Sequence, residues 1–408
     1  MLRIGVLGAA KIAPGALIKP ARRTGRAEVV AVAARDVDRA RAYAKKHKIP
    51  RVVDSYEALL ADPELDAVYI PLPNGLHGHW TIAALQAGKH VLCEKPFTAN
   101  ADEARQVAEA AAAHPGLVVM EAFHYEYHPM TRRLVEIVQS GELGIIKEID
   151  ISFAAPLAKP GDIRYRLDLA GGAMMDMGCY PISLLRLLAA GPRVTGATAK
   201  LSSPGVDRAM DARFSLPEGG TARVRCSMFS KSVLRLHAQV IGSEGSLKVF
   251  NPFAPQYGHR VRIENASGTR KEKFSRRATY DYQLEAFAAA VEDGAPFPTT
   301  AVDAIRTMEL IDATYVAAGL PTRQPTPVDV TPSIVSREPT GPRDPNDSSP
   351  NSDSRDRTGP RDPTESVDPT PSIDPTPSID PTPSIDPTPS IDPTPSIDPT
   401  PLSDPTGD

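Results

Sequence analysis

Where the prolines fall decides how much of this chain can fold. Of 42 prolines in 408 residues, 20 lie after residue 330. There the unit Asp-Pro-Thr-Pro-Ser-Ile recurs five times without change from Asp368 to Ile397, and once more in altered form from Asp398 to Ser403. Alternate prolines hold a backbone extended and deny it the donors of helix or sheet. The same 78 residues contain no aromatic side chain and carry 15 acidic against 5 basic groups. With so little to bury, residues 331–408 are expected to form a disordered, acidic repeat tail whose partner, if any, the sequence does not indicate. The remaining 330 residues, with 41 basic and 35 acidic groups, are long enough for two domains.

Within that body, short apolar runs alternate with helical patterns. Arg3–Leu7, Glu28–Ala34, Asp66–Leu72, His90–Cys93 and Leu117–Met120 read as strands. Between them, the helices are expected after the first turn, over Asp38–Lys48, from Ser55 as N-cap, over His77–Ala87 and over Ala101–Ala113. Strands and helices in alternation argue for a parallel sheet covered on both faces. After Phe123 the pattern changes. A helix over Met130–Ser140 precedes strands over Ile145–Phe153, Arg193–Leu201, Ala209–Leu216, Thr221–Phe229, Arg235–Ile241, Ser246–Phe250 and Arg260–Glu264, and two apolar helical stripes follow, ending at Gly319 and Pro321. The expected fold is thus an α/β dinucleotide-binding (Rossmann) domain over 1–123, followed over 124–330 by an α+β domain with an open, mainly antiparallel sheet.

The turn after the first strand, Gly8-Ala9-Ala10-Lys11-Ile12-Ala13, follows the dinucleotide fingerprint with Ala10 in the place of its middle glycine. A methyl group is tolerated there provided the backbone does not need positive φ. The second strand ends in Arg35 where an NAD enzyme usually carries an acid for the ribose 2′-hydroxyl. Arg35, with Arg39 one turn on, suits a 2′-phosphate, so NADP is favoured, while Asp36 keeps NAD open. No run approaches the roughly 18 apolar residues of a membrane span. The N-terminal residues do not read as a signal peptide, and Cys93, Cys179 and Cys226 lack metal-site spacing. A cytoplasmic protein is expected, with no structural metal and no case for nucleic-acid or membrane binding.

Three further segments stand out: Pro73-Asn74-Gly75-Leu76-His77, Cys93-Glu94-Lys95-Pro96, and Gly171-Gly172-Ala173-Met174-Met175-Asp176-Met177-Gly178-Cys179-Tyr180. Together with the Gly8–Ala13 turn they resemble the glucose–fructose oxidoreductase/inositol dehydrogenase (Gfo/Idh/MocA) family over about residues 2–320. Val29–Asp36, Lys46–Pro50, Ser55-Tyr56-Glu57 and the Glu121–Pro129 region look most like its dimeric dihydrodiol dehydrogenase and NADP-dependent xylose dehydrogenase branch. The resemblance implies hydride transfer between a nicotinamide and a hydroxyl-bearing carbon of a sugar, cyclic polyol or dihydrodiol. It implies Lys95, Asp176 and Tyr180 as the reacting group, with Tyr180 as acid–base. It also implies that Gly8, Ala9, Ala10, Lys11, Ile12, Leu72, Asn74, His77, Glu94 and Lys95 join Arg35 and Arg39 at the cofactor, and that the second sheet's outer face forms a homodimer. Histidine stands in place of Tyr180 in the inositol dehydrogenases, so inositol is not carried over as substrate.

The residues support such chemistry on their own. The hydroxyl proton must leave as hydride departs, and a phenol beside a lysine can take it if the cation lowers its pKa. Asp176, four residues before Tyr180, shares its face if the segment is helical, although Gly178 and the kink expected at Pro181 make an awkward helix. Otherwise Tyr180 is a core aromatic and Asp176 a cap. His124 and Arg166 are candidate substrate contacts, with Arg166 alternatively pairing with Asp168. The rival to an enzyme is a non-catalytic NADP-binding sensor on the same fold.

Overall fold

Burial explains the first sheet strand by strand. A computed structural model of the chain describes residues 1–157, 161–229 and 234–328; the expected disordered tail over 331–408 lies outside the described residues. The first strands are apolar at nearly every position and buried on both faces, which only a parallel sheet sandwiched by helices permits. The elements run β1 (Leu2–Leu7), α1 (Lys19–Thr24), β2 (Ala27–Ala33), α2 (Val37–His47), β3 (Arg51–Val53), α3 (Tyr56–Leu60), β4 (Ala67–Ile70), α4 (His77–Gln86), β5 (His90–Cys93), α5 (Ala101–Ala112) and β6 (Val119–Glu121). All pairs are parallel, in the order β3-β2-β1-β4-β5-β6. The strand order reverses between β1 and β4, which opens a crevice at the strands' carboxyl ends, where dinucleotides bind in such sheets. Side-chain caps set the helix starts: Asp36 accepts from the Arg39 N–H, Ser55 from Ala58 and Asn100 from Glu103.

The second sheet follows α6 (Pro129–Gln139). Its strands are β7 (Ile146–Ala154), then, after α7 (Cys179–Leu188), β8 (Arg193–Ser203), β9 (Val206–Ser215), β10 (Thr221–Ser227), β11 (Arg235–Gly242), β12 (Gly245–Phe250), β13 (Arg260–Asn265) and β14 (Gly268–Glu272). The order is β14-β13-β12-β11-β7-β10-β9-β8; β7 and β10 pair in parallel, and every other pair is antiparallel. Burial alternates along β10 and β13, as in a sheet packed on one face. The expected α/β-then-α+β architecture is what the chain forms.

Two strands escaped the sequence reading. β3 spans three residues, too few for a period to show, and β14 reads Gly-Thr-Arg-Lys-Glu, a charged edge strand without apolar alternation. The last helices return to the first sheet. α8 (Thr279–Asp293) buries Leu284, Phe287 and Ala288 in one cluster with Leu2, Ile4, Val6 and Leu17, and its Asp281 pairs with Arg23. α9 (Ala301–Ala317) lies along α5, where the Asp312 carboxylate accepts from the Ala101 N–H. Among the described residues, no helix is long and apolar enough to cross a membrane, and no three His, Cys, Asp or Glu side chains cluster as metal ligands.

Candidate active site

At the end of β1 the chain turns sharply at Gly8, whose φ of 108° is closed to most side chains. A Cβ there would also meet the Leu72 side chain at 3.0 Å. Ala10 does not adopt positive φ, which is why alanine can stand where the fingerprint has glycine. The turn is braced from α2: the Arg39 guanidinium donates to the Ala9 carbonyl at 2.9 Å and the Tyr43 hydroxyl to the Ala10 carbonyl at 3.0 Å. It runs into a wide π-type turn, Pro14–Ile18, and then α1. Lys11 is exposed and Ile12 is 41% exposed. Arg35, exposed at the end of β2, lines a cavity of about 460 Å³ with Ser55, Tyr56 and Trp80. A glycine turn at a helix start suits a dinucleotide, and Arg35 offers a cation for a 2′-phosphate on a cavity wall that also carries Asp54 and Glu57.

The segment after β5 carries Glu94 and Lys95. Glu94 is buried; its carboxylate accepts from the Tyr69 hydroxyl at 2.6 Å, and burial, against the pull of Lys95, holds it above the usual carboxylate range. The Lys95 Nζ donates to the Asp176 carbonyl at 3.0 Å and lies 3.4 Å from its Oδ1. Burial, the largest single influence, pushes this ammonium down, but Asp176, Cys179 and Glu94 together outweigh it, and Lys95 is held above its ordinary value. Asp176 in turn pairs with Arg164, Nε to Oδ2 at 2.8 Å. Burial works against the Asp176 anion, yet Lys95 and Arg164 keep its carboxyl below the usual range. Lys95 and Arg164 both pair with Asp176, and Arg164 also pairs with Asp162, Nη1 to Oδ1 at 3.1 Å.

Asp176 and Tyr180 reach this point through a second π-type turn, Met174–Gly178, which leads into α7. The expected helix opens with this π-type turn, and Pro181 sits third in α7. Having no N–H, Pro181 leaves the preceding carbonyls one donor short, and that of Asp176 is taken by Lys95. Tyr180 is 8% exposed and ringed by Phe123, Tyr125, Phe153 and Phe253, centroids 5.4–5.9 Å away. The Lys95 Nζ stands 5.0 Å over its ring. The expectation that Lys95 lowers this phenol does not describe the free protein. Burial, followed by Glu94, Cys179 and Asp176, pushes it well above its ordinary value. The lysine ammonium is paired with Asp176.

The other candidates are placed as follows. The His77 ring, 1% exposed, lies 2.8 Å from both the Pro96 and Leu72 carbonyls. Burial lowers it to about 4, so the neutral ring carries one N–H and donates to one of the two carbonyls. The Asn74 amide donates to the Ala170 carbonyl at 3.1 Å. His124 is buried between Tyr180 and Thr279, 3.2 Å from the Tyr180 hydroxyl. Arg166 pairs with Asp168 at the surface; the arginine at the Lys95–Asp176 cluster is Arg164. Arg164, Tyr69, Tyr280 and Thr279 went unnoticed in the sequence, since none belongs to a motif and each arrives from a distant segment. All three cysteines are buried and unpaired.

Two family profiles match the chain: an oxidoreductase family with an NAD-binding Rossmann fold over residues 2–123, and the GFO/IDH/MocA C-terminal domain over 131–248. The chain is 40% identical over 321 residues to a D-xylose 1-dehydrogenase (NADP(+)) of Haloferax volcanii, covering 78% of this chain and 97% of that one. It is 36% identical over 331 residues to a dTDP-3,4-didehydro-2,6-dideoxy-alpha-D-glucose 3-reductase of Streptomyces violaceoruber, covering 78% and 96%. A 3-ketoreductase from Actinomadura kijaniata, solved in complex with NADP and TDP-benzene, superposes with a TM-score of 0.71 at 32% identity, over 78% of this chain and 97% of that one. By sequence along both sheets and by fold, the chain belongs to the Gfo/Idh/MocA family of oxidoreductases.

Proposed function

We propose that this oxidoreductase is an NADP-preferring dehydrogenase or reductase acting on a CH–OH or keto carbon of a sugar or cyclic diol, with Lys95, Asp176 and Tyr180 as its reacting group. The observation that carries the reading is their convergence: three side chains from two distant segments meet around one ammonium, with a second cation, Arg164, behind. A bound NADP would supply or accept the hydride at its nicotinamide. It would be held by the Gly8–Ile12 turn, Leu72, Asn74 and Glu94, with Arg35 and Arg39 toward the 2′-phosphate. The xylose dehydrogenase and 3-ketoreductase relatives support both the cofactor and a sugar-like substrate.

The chain's own residues then handle the proton. Tyr180, protonated at neutral pH in the free protein, donates to an oxygen gaining negative charge in reduction and takes that proton back in oxidation. Lys95 hydrogen-bonds the same oxygen, and its ammonium, placed where negative charge develops, favours an alkoxide there. The aromatic ring around Tyr180 keeps water from competing for it. In this reading residues 1–123 hold the cofactor and 124–330 the substrate, two copies pair through the outer face of the second sheet, and the buried free thiols suit the cytoplasm.

The test is a titration of the full chain with NADPH and NADH, followed by a panel of aldoses, cyclic diols and keto sugars monitored by nicotinamide absorbance. Turnover with tighter NADPH binding is expected. Tight NADPH binding with no turnover across the panel would replace the enzyme with a nucleotide-binding sensor.

A further inference from the structure

Both ring nitrogens of His124 are engaged at the proposed proton donor. Nδ1 is 2.8 Å from the Thr279 hydroxyl and Nε2 is 3.2 Å from the Tyr180 hydroxyl. His124 sits on a short 3₁₀ turn after β6, and Thr279 is the first residue of α8, so two elements far apart in the chain meet at the Tyr180 oxygen. Thr279 is fully buried, and the Tyr280 ring lies 4.0 Å from that of His124 at 38°, which fixes the imidazole plane. Neither residue belongs to the Lys95–Asp176–Tyr180 group.

We infer that Thr279 and His124 orient the Tyr180 proton: the Thr279 hydroxyl donates to Nδ1, Nε2 therefore carries the ring proton, and that N–H donates to the Tyr180 oxygen. The inference rests on the proton-donor role proposed for Tyr180. Two tautomers of the imidazole compete. If Nε2 were bare, Tyr180 would donate to it, and the phenol's proton would point away from substrate. With the proton on Nε2, the Tyr180 O–H stays free. When that proton moves to the substrate oxygen, the phenolate left behind accepts the Nε2–H, and returning the proton restores the neutral pair. Among the described residues, the Thr279 hydroxyl hydrogen-bonds only to His124, so it is available as the donor that selects this tautomer.

The surroundings keep His124 neutral while this happens. Burial, and then the Lys95 charge, lower the imidazole to about 3, so the ring carries one proton across the working range. The polar groups facing it are Thr279 and Tyr280 from α8, Tyr180 from α7 and Lys95 after β5. Those acting on Tyr180 are Glu94, Lys95, Asp176, Cys179, Glu121 and Tyr280, besides His124 itself. His124 and Thr279 are positioning residues, acting through Tyr180.

The test is the pH profile of kcat for substrate oxidation by the full chain, read for His124→Phe, His124→Gln, Thr279→Val and Thr279→Ser. Losing the Nε2 donor raises the phenol pKa, so the rising limb should move about one unit to higher pH in His124→Phe, lowering kcat about tenfold at neutral pH. Thr279→Val should shift the same way by less. Gln, whose amide can donate from a similar place, and Ser, which keeps the hydroxyl, should recover most of both losses. KM and NADPH affinity should stay within about threefold. An unmoved pH profile, a rise in KM alone, or equal losses in Thr279→Val and Thr279→Ser would overturn the inference. Should His124→Phe fail to fold, as judged by NADPH binding, the Thr279 pair decides. Tyr180→Phe separates the two levels: retained turnover there overturns the proton-donor reading itself, whereas its loss beside an unmoved His124→Phe profile overturns only the positioning role.

Discussion

Two turns of the same kind face different tasks. Pro14–Ile18 and Met174–Gly178 are both π-type, both follow a glycine-bearing loop and both lead into an α-helix. The loop that leads into the first is open to solvent, with Lys11 exposed and Ile12 41% exposed, and what it offers a ligand is backbone N–H, while Ala16, Leu17 and Ile18 within the turn are buried. The second is dry and offers side chains, each with its charge set by burial and neighbours. A site made of backbone tolerates side-chain change so long as φ and space are respected. A site made of buried charges does not, because each group holds its neighbour's protonation state.

The sharpest way to break that contrast is to remove a side chain from the dry site. Tyr180→Phe or Lys95→Met should lower kcat by about 10²–10⁴-fold, the range for a lost general acid or its electrostatic partner. NADPH affinity, measured by fluorescence titration, should hold within about threefold for Tyr180→Phe, since the role proposed for Tyr180 is at the substrate oxygen alone. A Tyr180→Phe enzyme within tenfold of wild type would remove the distinction between the two turns.

Asp176→Asn asks whether the charges of the dry site hold the fold as well as the chemistry. Lys95 and Asp176 are 13% and 16% exposed, so losing the anion should cost on the order of 2 kcal/mol, below the roughly 3–5 kcal/mol seen for fully buried pairs. The pH dependence follows from the depressed Asp176 carboxyl. Its contribution is present above the unfolded value of about 3.9 and disappears as pH falls through the lower folded value. Urea unfolding should therefore show the wild-type advantage at pH 7 narrowing below about pH 4. A gap independent of pH would mean that the Asp176→Asn variant is destabilised through packing rather than charge.

At the open turn the expected effects shrink. Arg35→Glu should raise the NADPH Kd by about 10–100-fold, the worth of a charge-assisted phosphate contact, and leave NADH within about threefold. Equal losses for both nucleotides would place Arg35 in the turn's architecture instead of at a 2′-phosphate.

What the sequence made legible follows the same division. The first sheet could be read because buried parallel strands are apolar throughout, and the first βα turn because its glycine answers a local backbone demand. β3 and β14 could not, being too short or too charged to show a period. At the site, Lys95, Asp176 and Tyr180 were marked by their segments, but Arg164 looked no different from Arg166, two residues on. Only folding shows that one reaches Asp176 while the other turns to Asp168. The return of α8 to the first sheet, which brings Thr279 to His124, depends on packing between residues about 155 positions apart, and no local pattern encodes it.

The smallest change tests the tolerant turn most directly. Ala10→Gly restores the fingerprint's middle glycine, yet Ala10 already sits outside the positive-φ region, so glycine gains no conformation the turn requires. The Ala10 carbonyl also keeps its Tyr43 hydroxyl donor whichever side chain is present. What changes is the unfolded chain, which glycine makes freer, so stability should fall by about 0.4–1 kcal/mol in a urea melt. NADPH affinity should move by no more than about twofold, equivalent to roughly 0.4 kcal/mol. If glycine instead tightened NADPH tenfold, the Ala10 methyl would be crowding the pyrophosphate, and the open turn would be as dependent on a single side chain as the dry one.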